Sequence, residues 1–372
     1  MSAQILVVGG GLSGLTAARA LHQAGIGFRL VEARDRLGGR ILSVDTSGSG
    51  PGPFDLGPSW FWPGMQPDFA NFVEAEGVKS FPQADADDLL FQRGPGSVQR
   101  YSGMRQEPPS MRMGGGTAAL VTALARDLPP DAIHLNTRVT HMALTSSGVD
   151  VTTDGGCLSA QHVLLAAPPR LMAAQITFDP PMPAPVVRLW QGTPTWMAPH
   201  AKFVAVYDHA FWRDAGLSGA ARSQTGPLVE IHDATTMEGQ PALFGFVGVP
   251  AEARARAGDA AVIAACVQQM GQLFGPPAAR PKAMLYKDWA ADPLIATSDD
   301  LTAGDHPTPT RHPWVEGAWQ RHLTLIGSET SRTEPGYLAG AHEAAKHGVA
   351  VFLARFKAQP VDFHPELRRF GA

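Results

Sequence analysis

The sequence predicts an α/β chain of two domains, and three observations carry the prediction. A strand, a glycine turn and a helix follow one another at the N-terminus. A second apolar run then ends in an acid. Later, several short β-prone runs are separated by turn residues. Gln4-Ile5-Leu6-Val7-Val8 has room for one buried strand. Gly9-Gly10-Gly11-Leu12-Ser13-Gly14 follows at once, and Leu12, Leu15, Ala18 and Leu21 repeat at helical spacing until Gly25. In that context the glycines read as a dinucleotide fingerprint, which makes this domain Rossmann-like. Gly9 makes the tight turn, Gly11 admits a pyrophosphate, and Gly14 lets helix and strand pack closely. The helix start at Leu12 and Ser13 offers free N–H groups to phosphates. Phe28-Arg29-Leu30-Val31 ends in Glu32, 18 residues beyond Gly14. An acid there accepts from ribose hydroxyls and repels a 2′-phosphate.

Residues 148–165 read as a hairpin with Asp154-Gly155-Gly156 at its turn. The runs 201–207, 228–233, 242–249 and 283–289 suit a mostly antiparallel sheet. Between the last two, Asp259 is expected to cap a helix with Val262, Ile263, Val267, Met270, Leu273 and Phe274 on one face, stopped by Gly275-Pro276-Pro277.

Composition excludes several classes. The net charge of −4 arises from mixed basic and acidic residues, with no basic stripe for nucleic acid. Cys157 and Cys266 are too few for a disulfide framework or a zinc site. No apolar run approaches the ~20 residues of a membrane span, and a strand starting at residue 4 leaves no room for a signal peptide. A cytoplasmic protein away from membranes is the expectation. His342-Glu343-Ala344-Ala345-Lys346-His347 misses H-E-x-x-H by one residue, and the 13 histidines show no ligand spacing, so no metal is expected.

The segment after Glu32 distinguishes among dinucleotides. Ala33-Arg34-Asp35-Arg36-Leu37-Gly38-Gly39-Arg40 resembles the EAR-x-R-x-GGR stretch of the flavin-containing amine oxidase superfamily, which runs beside the FAD pyrophosphate. Phe54-Asp55-Leu56-Gly57-Pro58-Ser59-Trp60, Met113-Gly114-Gly115-Gly116, Val163-Leu164-Leu165-Ala166-Ala167-Pro168, Leu325-Ile326-Gly327-Ser328-Glu329-Thr330 and Gly336-Tyr337-Leu338-Ala339-Gly340-Ala341 each resemble a further family segment, in family order. The resemblance implies an FAD-binding domain from residues 1–75, 112–180 and 300–358. A substrate domain follows from 76–111 and 181–299, with a tail at 359–372. The family usually places a helical subdomain before its second glycine motif. Here that interval, 83–112, is short and rich in Gly, Pro and Arg, so the roof over the substrate channel is expected to be missing or replaced. An open site, an oligomer or a partner chain that covers it, and an exposed Trp60-Phe61-Trp62 run are the corresponding expectations.

The resemblance also assigns roles. Lys202, before Phe211-Trp212-Arg213, matches the family lysine held through a water to the flavin; a lone strand lysine is otherwise a solvated edge residue. Trp289 matches a tryptophan packed on the flavin, and Tyr337 an aromatic on its re face. Trp60 is expected in the substrate pocket. The second cage aromatic is absent, and Ser298-Asp299-Asp300 stands near its place, which puts Asp299 in the pocket as a carboxylate for a substrate ammonium. Val139 matches a backbone contact to adenine, Glu329 the acid at the ribityl chain, and Leu338 the start of a helix aimed at the flavin. No cysteine follows Cys266, so FAD is expected to be held without a covalent bond. The implied reaction oxidises a C–N bond of an amine or amino acid to an imine, with O2 reduced to H2O2. The fold also serves C–C desaturases and isomerases of carotenoid- or porphyrinogen-like substrates, and a non-catalytic or partner-dependent FAD protein is a third reading.

Overall fold

The computed structural model describes residues 2–103, 106–302 and 304–358; the 359–372 tail lies outside them. The Ser2–Val8 strand sits at the centre of an eight-stranded sheet, parallel to Phe28–Val31 on one side and to Gly156–Leu165 on the other. Both faces of this centre are covered, which is why its sequence runs apolar without a break. Ile5 and Val7 pack toward Leu15 and Leu21 of the Leu12–Gln23 helix. Leu6 and Val8 pack with Val163, Leu165 and Met142 on the other side. The Leu338–Ala358 helix lies against the Leu12–Gln23 helix. The expected hairpin forms as Gly148–Thr153 paired with Gly156–Leu165.

A seven-stranded sheet makes the second layer. Its order is Ala283–Asp288, Ala201–Val206, Ala242–Val247, Leu228–Asp233, Leu217–Ser223, Asp88–Gly94 and Ser97–Tyr101. Every pair but Leu217–Ser223 with Asp88–Gly94 is antiparallel. The Asp259–Phe274 helix buries Val262, Cys266, Met270 and Leu273 against Phe203 and Ala205. The helix is not capped by Asp259: Gly258, at φ 77°, holds the cap position, and Asp259 sits inside the first turn. Strand alternation turns Lys202, Val204 and Val206 to the opposite face from Phe203 and Ala205. There Val204 and Val206 pack with Phe54, Leu56 and Phe244.

Residues 83–112 carry a hairpin in place of the helical subdomain, Asp88–Gly94 with Ser97–Tyr101, which extends the second sheet at its edge. The aromatic run beside it is not an exposed patch. Phe61 is buried against Phe69, and Trp60 and Trp62 are half-buried. Among the described residues no helix is long and apolar enough to cross a membrane.

Candidate functional site

A cavity of about 610 Å³ is lined by residues of both sheets. At one end it meets the glycine turn. A Cβ at Gly14 would stand 1.9 Å from the Gly9 carbonyl oxygen, so only glycine lets the helix start this close to the strand. Gly11 differs: a Cβ there would meet nothing nearer than 3.8 Å, yet the residue lines the cavity. The space it leaves is therefore ligand space. Gly9, Leu12 and Ser13 share this lining, and no side chain caps the helix they begin. Its first N–H groups and its positive end are available to phosphate. Gly14 lies behind this surface, as a packing residue rather than a contact.

Glu32 ends the second strand with its carboxylate buried. Oε2 accepts from the Gly10 N–H at 2.7 Å and Oε1 from the Arg34 N–H at 2.8 Å. It thus fixes the glycine loop, and each oxygen keeps a lone pair for a ligand hydroxyl. Ala33, Arg34, Gly38, Gly39 and Arg40 continue the wall, and Val139, at the start of the Val139–Thr145 strand, also lines it. Arg34 is anchored to Asp292 at 2.9 Å, which also takes Lys287 at 2.8 Å. Arg40 and Ser328 line the cavity, but Glu329 does not. Its carboxylate is 1% exposed and pairs with both Arg40 nitrogens, at 2.6 and 3.0 Å. The ion pair with Arg40 thus holds Glu329 behind the cavity wall.

At the other end stands Lys202, 3% exposed. Its Nζ donates to the Gly57 carbonyl at 3.0 Å and to Ser59 Oγ at 2.6 Å, and lies 4.1 Å from the Phe244 ring centroid. Gly57, Pro58, Ser59 and Trp60 share the lining. Burial pushes the Lys202 ammonium down to about 7, with Asp55 opposing and Arg112 reinforcing the shift. Trp289 also lines the cavity, its indole N–H held by the Leu56 carbonyl at 2.9 Å. The Trp60 indole N–H donates to Gln83 Oε1 at 2.8 Å, and Gln83 in turn donates to the Asp233 carbonyl. Tyr337, 37% exposed, stands at the mouth edge-on to Trp62 at 6.0 Å, and Leu338 opens the helix beside it.

Asp299 is not in the cavity. It is exposed on the Ser298–Asp300 turn, where the buried acid is its neighbour. Asp300 closes that turn's capping box with Thr297 and pairs with Arg170 at 2.6 Å, so Asp299 is left facing solvent. Asp299→Asn is accordingly expected to leave stability within about 0.5 kcal/mol and amine turnover unchanged, measured by urea denaturation and steady-state kinetics. Lining residues that escaped the sequence reading include Trp196, His200, Glu230 and Phe246. Phe246 and Glu230 carry a signal only in the strand register, which aligns them with Lys202. Burial lowers the His200 imidazole below its ordinary range, with Arg254 adding to it.

The model of flavin containing amine oxidoreductases matches this chain over residues 12–112 and 96–351. A putative flavin-containing monoamine oxidase of Mycobacterium tuberculosis is 29% identical over 276 residues, covering 70% of this chain and 56% of that protein. The chain thus matches little more than half the length of that relative. A probable flavin-containing monoamine oxidase A of Dictyostelium discoideum is 23% identical, covering 91% of this chain and 95% of that protein. Among solved structures, putrescine oxidase bound to putrescine superposes with a TM-score of 0.80 at 20% identity, covering 95% of this chain and 100% of that one. Cyclohexylamine oxidase from Brevibacterium oxydans does so at 0.80 and 20%, covering 95% and 99%.

Proposed function

This chain belongs to the family of flavin containing amine oxidoreductases, and we propose that it oxidises a C–N bond of an amine to an imine, with O2 reduced to H2O2. The observation that carries the reading is the buried Lys202 ammonium, set in an aromatic-walled cavity continuous with the dinucleotide cradle. Bound FAD supplies hydride acceptance and delivery of electrons to O2. The chain supplies the rest. Lys202 Nζ, fixed by Gly57 and Ser59, holds a positive charge and one remaining N–H at the reacting end. Trp60, Trp289 and Tyr337 exclude water and orient an amine by their ring faces. The Leu338–Ala358 helix turns its N-terminal, partly positive end to the same cavity.

Anaerobic mixing with a panel of amines, amino acids and polyenes tests the reaction. Amines are expected to bleach the flavin absorbance; bleaching by polyenes alone would replace this reading with a desaturase. FAD is proposed to be held without a covalent bond. Neither cysteine lines the cavity: Cys157 is exposed, and Cys266 is in the core under the second sheet. Acid precipitation is expected to leave the yellow colour in the supernatant, and a yellow pellet would contradict it. Glu32→Ala removes the acceptor for two backbone N–H groups as well as for ribose. Fluorescence titration of apoprotein with FAD is expected to show affinity lowered by about 1–3 kcal/mol, the cost of buried donors left unpaired.

A further inference from the structure

We propose that Phe244 is a positioning residue for the oxygen step: its ring face stands in for a counter-ion and keeps the buried Lys202 side chain protonated. The inference rests on the role given to Lys202 above and extends it to a residue that does not itself line the cavity.

A buried ammonium ordinarily has a carboxylate in contact, because desolvation favours the neutral amine. Among the described residues Lys202 has none. Its Nζ donates to the Gly57 carbonyl and to Ser59 Oγ, both neutral. A neutral amine can donate these bonds as well. Two rings complete the surroundings, with centroids 4.1 Å (Phe244) and 5.9 Å (Phe246) from Nζ. Strand alternation puts them there. Phe246 lies opposite Lys202, and Phe244 lies opposite Val204, two residues along the same strand. Lys202 and both rings therefore share one face of the sheet. The face of a phenyl ring carries the negative part of its quadrupole, and it attracts a cation most strongly where water is excluded. Phe244 is buried, with His232 stacked on it and Trp60 tilted against it, each at 5.3 Å, and these contacts fix the plane of the ring.

The charged groups around Lys202 do not replace the ring. Asp55 favours the ammonium and Arg112 opposes it, both through space. Asp55 Oδ1 is taken by Ser43 and Thr117, and Arg112 donates to the carbonyls of Ala234 and Thr235. Lys287, opposite Lys202 on the other neighbouring strand, is paired with Asp292. Glu230, opposite Phe246, is paired with Arg222 and bonded to His232. His200, in the cavity wall, is held below its ordinary range by burial and is neutral at pH 7. The Phe244 ring is thus the group in close contact with Nζ that attracts the ammonium far more than the amine.

The test replaces Phe244 by mono-, di- and pentafluorinated phenylalanine, which keep the shape of the ring while draining its face of negative charge. Reoxidation of the reduced holoenzyme by O2 is followed by stopped flow as a function of pH. Weaker attraction for the cation lowers the pH at which Lys202 loses its proton. The midpoint of the fall in rate is therefore expected to move down stepwise along the series. The whole shift is expected to be about one pH unit or more, the scale of a desolvated cation–π contact. Phe244→Leu, which removes the ring face and keeps an apolar side chain, is expected to move it the same way. On the Lys202→Met background the fluorinated series is expected to leave the rate unchanged. An unaltered flavin spectrum establishes that each form folds, and the fluorinated rings keep the test open if Phe244→Leu does not. A midpoint that stays fixed along the series, or an equal effect on the Lys202→Met background, would make Phe244 a packing residue and leave Lys202 in its role. A native enzyme that reoxidises no faster than Lys202→Met at any pH would overturn both.

Discussion

Lys202→Met is expected to slow reoxidation of the reduced flavin by O2 by about ten- to a thousandfold, the scale of losing one preorganised electrostatic group. Methionine keeps most of the length of the side chain while removing the charge and with it the cation's contact with the Phe244 ring. The rate of flavin reduction by amine is expected to change less, because the lysine is fixed by Gly57 and Ser59 rather than by the substrate. The pH dependence gives the sign. Burial brings the ammonium down to about 7, so the cation is present below that pH and lost above it. Native reoxidation should therefore slow as pH rises through about 7, and the variant should be flat over the same range. Stopped-flow mixing of reduced enzyme with oxygenated buffer reads both. Equal reoxidation rates at every pH would make Lys202 a structural lysine only.

The dinucleotide end of this site was legible because its physics is local. Gly9 to Gly14 lie within one turn, and Glu32 caps the adjacent parallel strand, so composition and spacing reveal the cradle directly. The substrate end is assembled by sheet register, which one strand read alone does not show. Glu230 and Phe246 reach the cavity because they oppose Lys202's row. Trp196 reaches it from the loop before the Ala201–Val206 strand. The strand Leu217–Ser223 has small and polar residues, LSGAARS, with no β-branched residue, and its pairing slips between Leu217 and Ala221. Tertiary burial makes it a strand. Asp299 was misplaced for a related reason. Of two adjacent acids, the one that faces inward is decided by the capping of a short turn and by Arg170, 129 residues away from Asp299 in sequence.

Glu329 shows the same contrast in energetic form and makes the second large prediction. Its carboxylate is fully buried and bound bidentately by Arg40, while Ser328 Oγ bridges the two. Arg40→Met leaves that charge without its partner, and breaking a buried pair from one side costs about 3–5 kcal/mol. Urea denaturation of the apoprotein should show this loss before any cofactor is added. Arg40→Met combined with Glu329→Leu removes both charges and should recover most of it, since an apolar pair of similar volume is often neutral. Glu329→Gln alone separates the two assignments of this acid. As the partner of Arg40, it should cost stability in the apoprotein, with flavin affinity falling only as the Arg40 wall loosens. As a ligand of the ribityl chain, it would weaken flavin binding while apoprotein stability stayed near native. That second pattern, with no recovery in the double variant, would return Glu329 to the cofactor and make Arg40 its accessory.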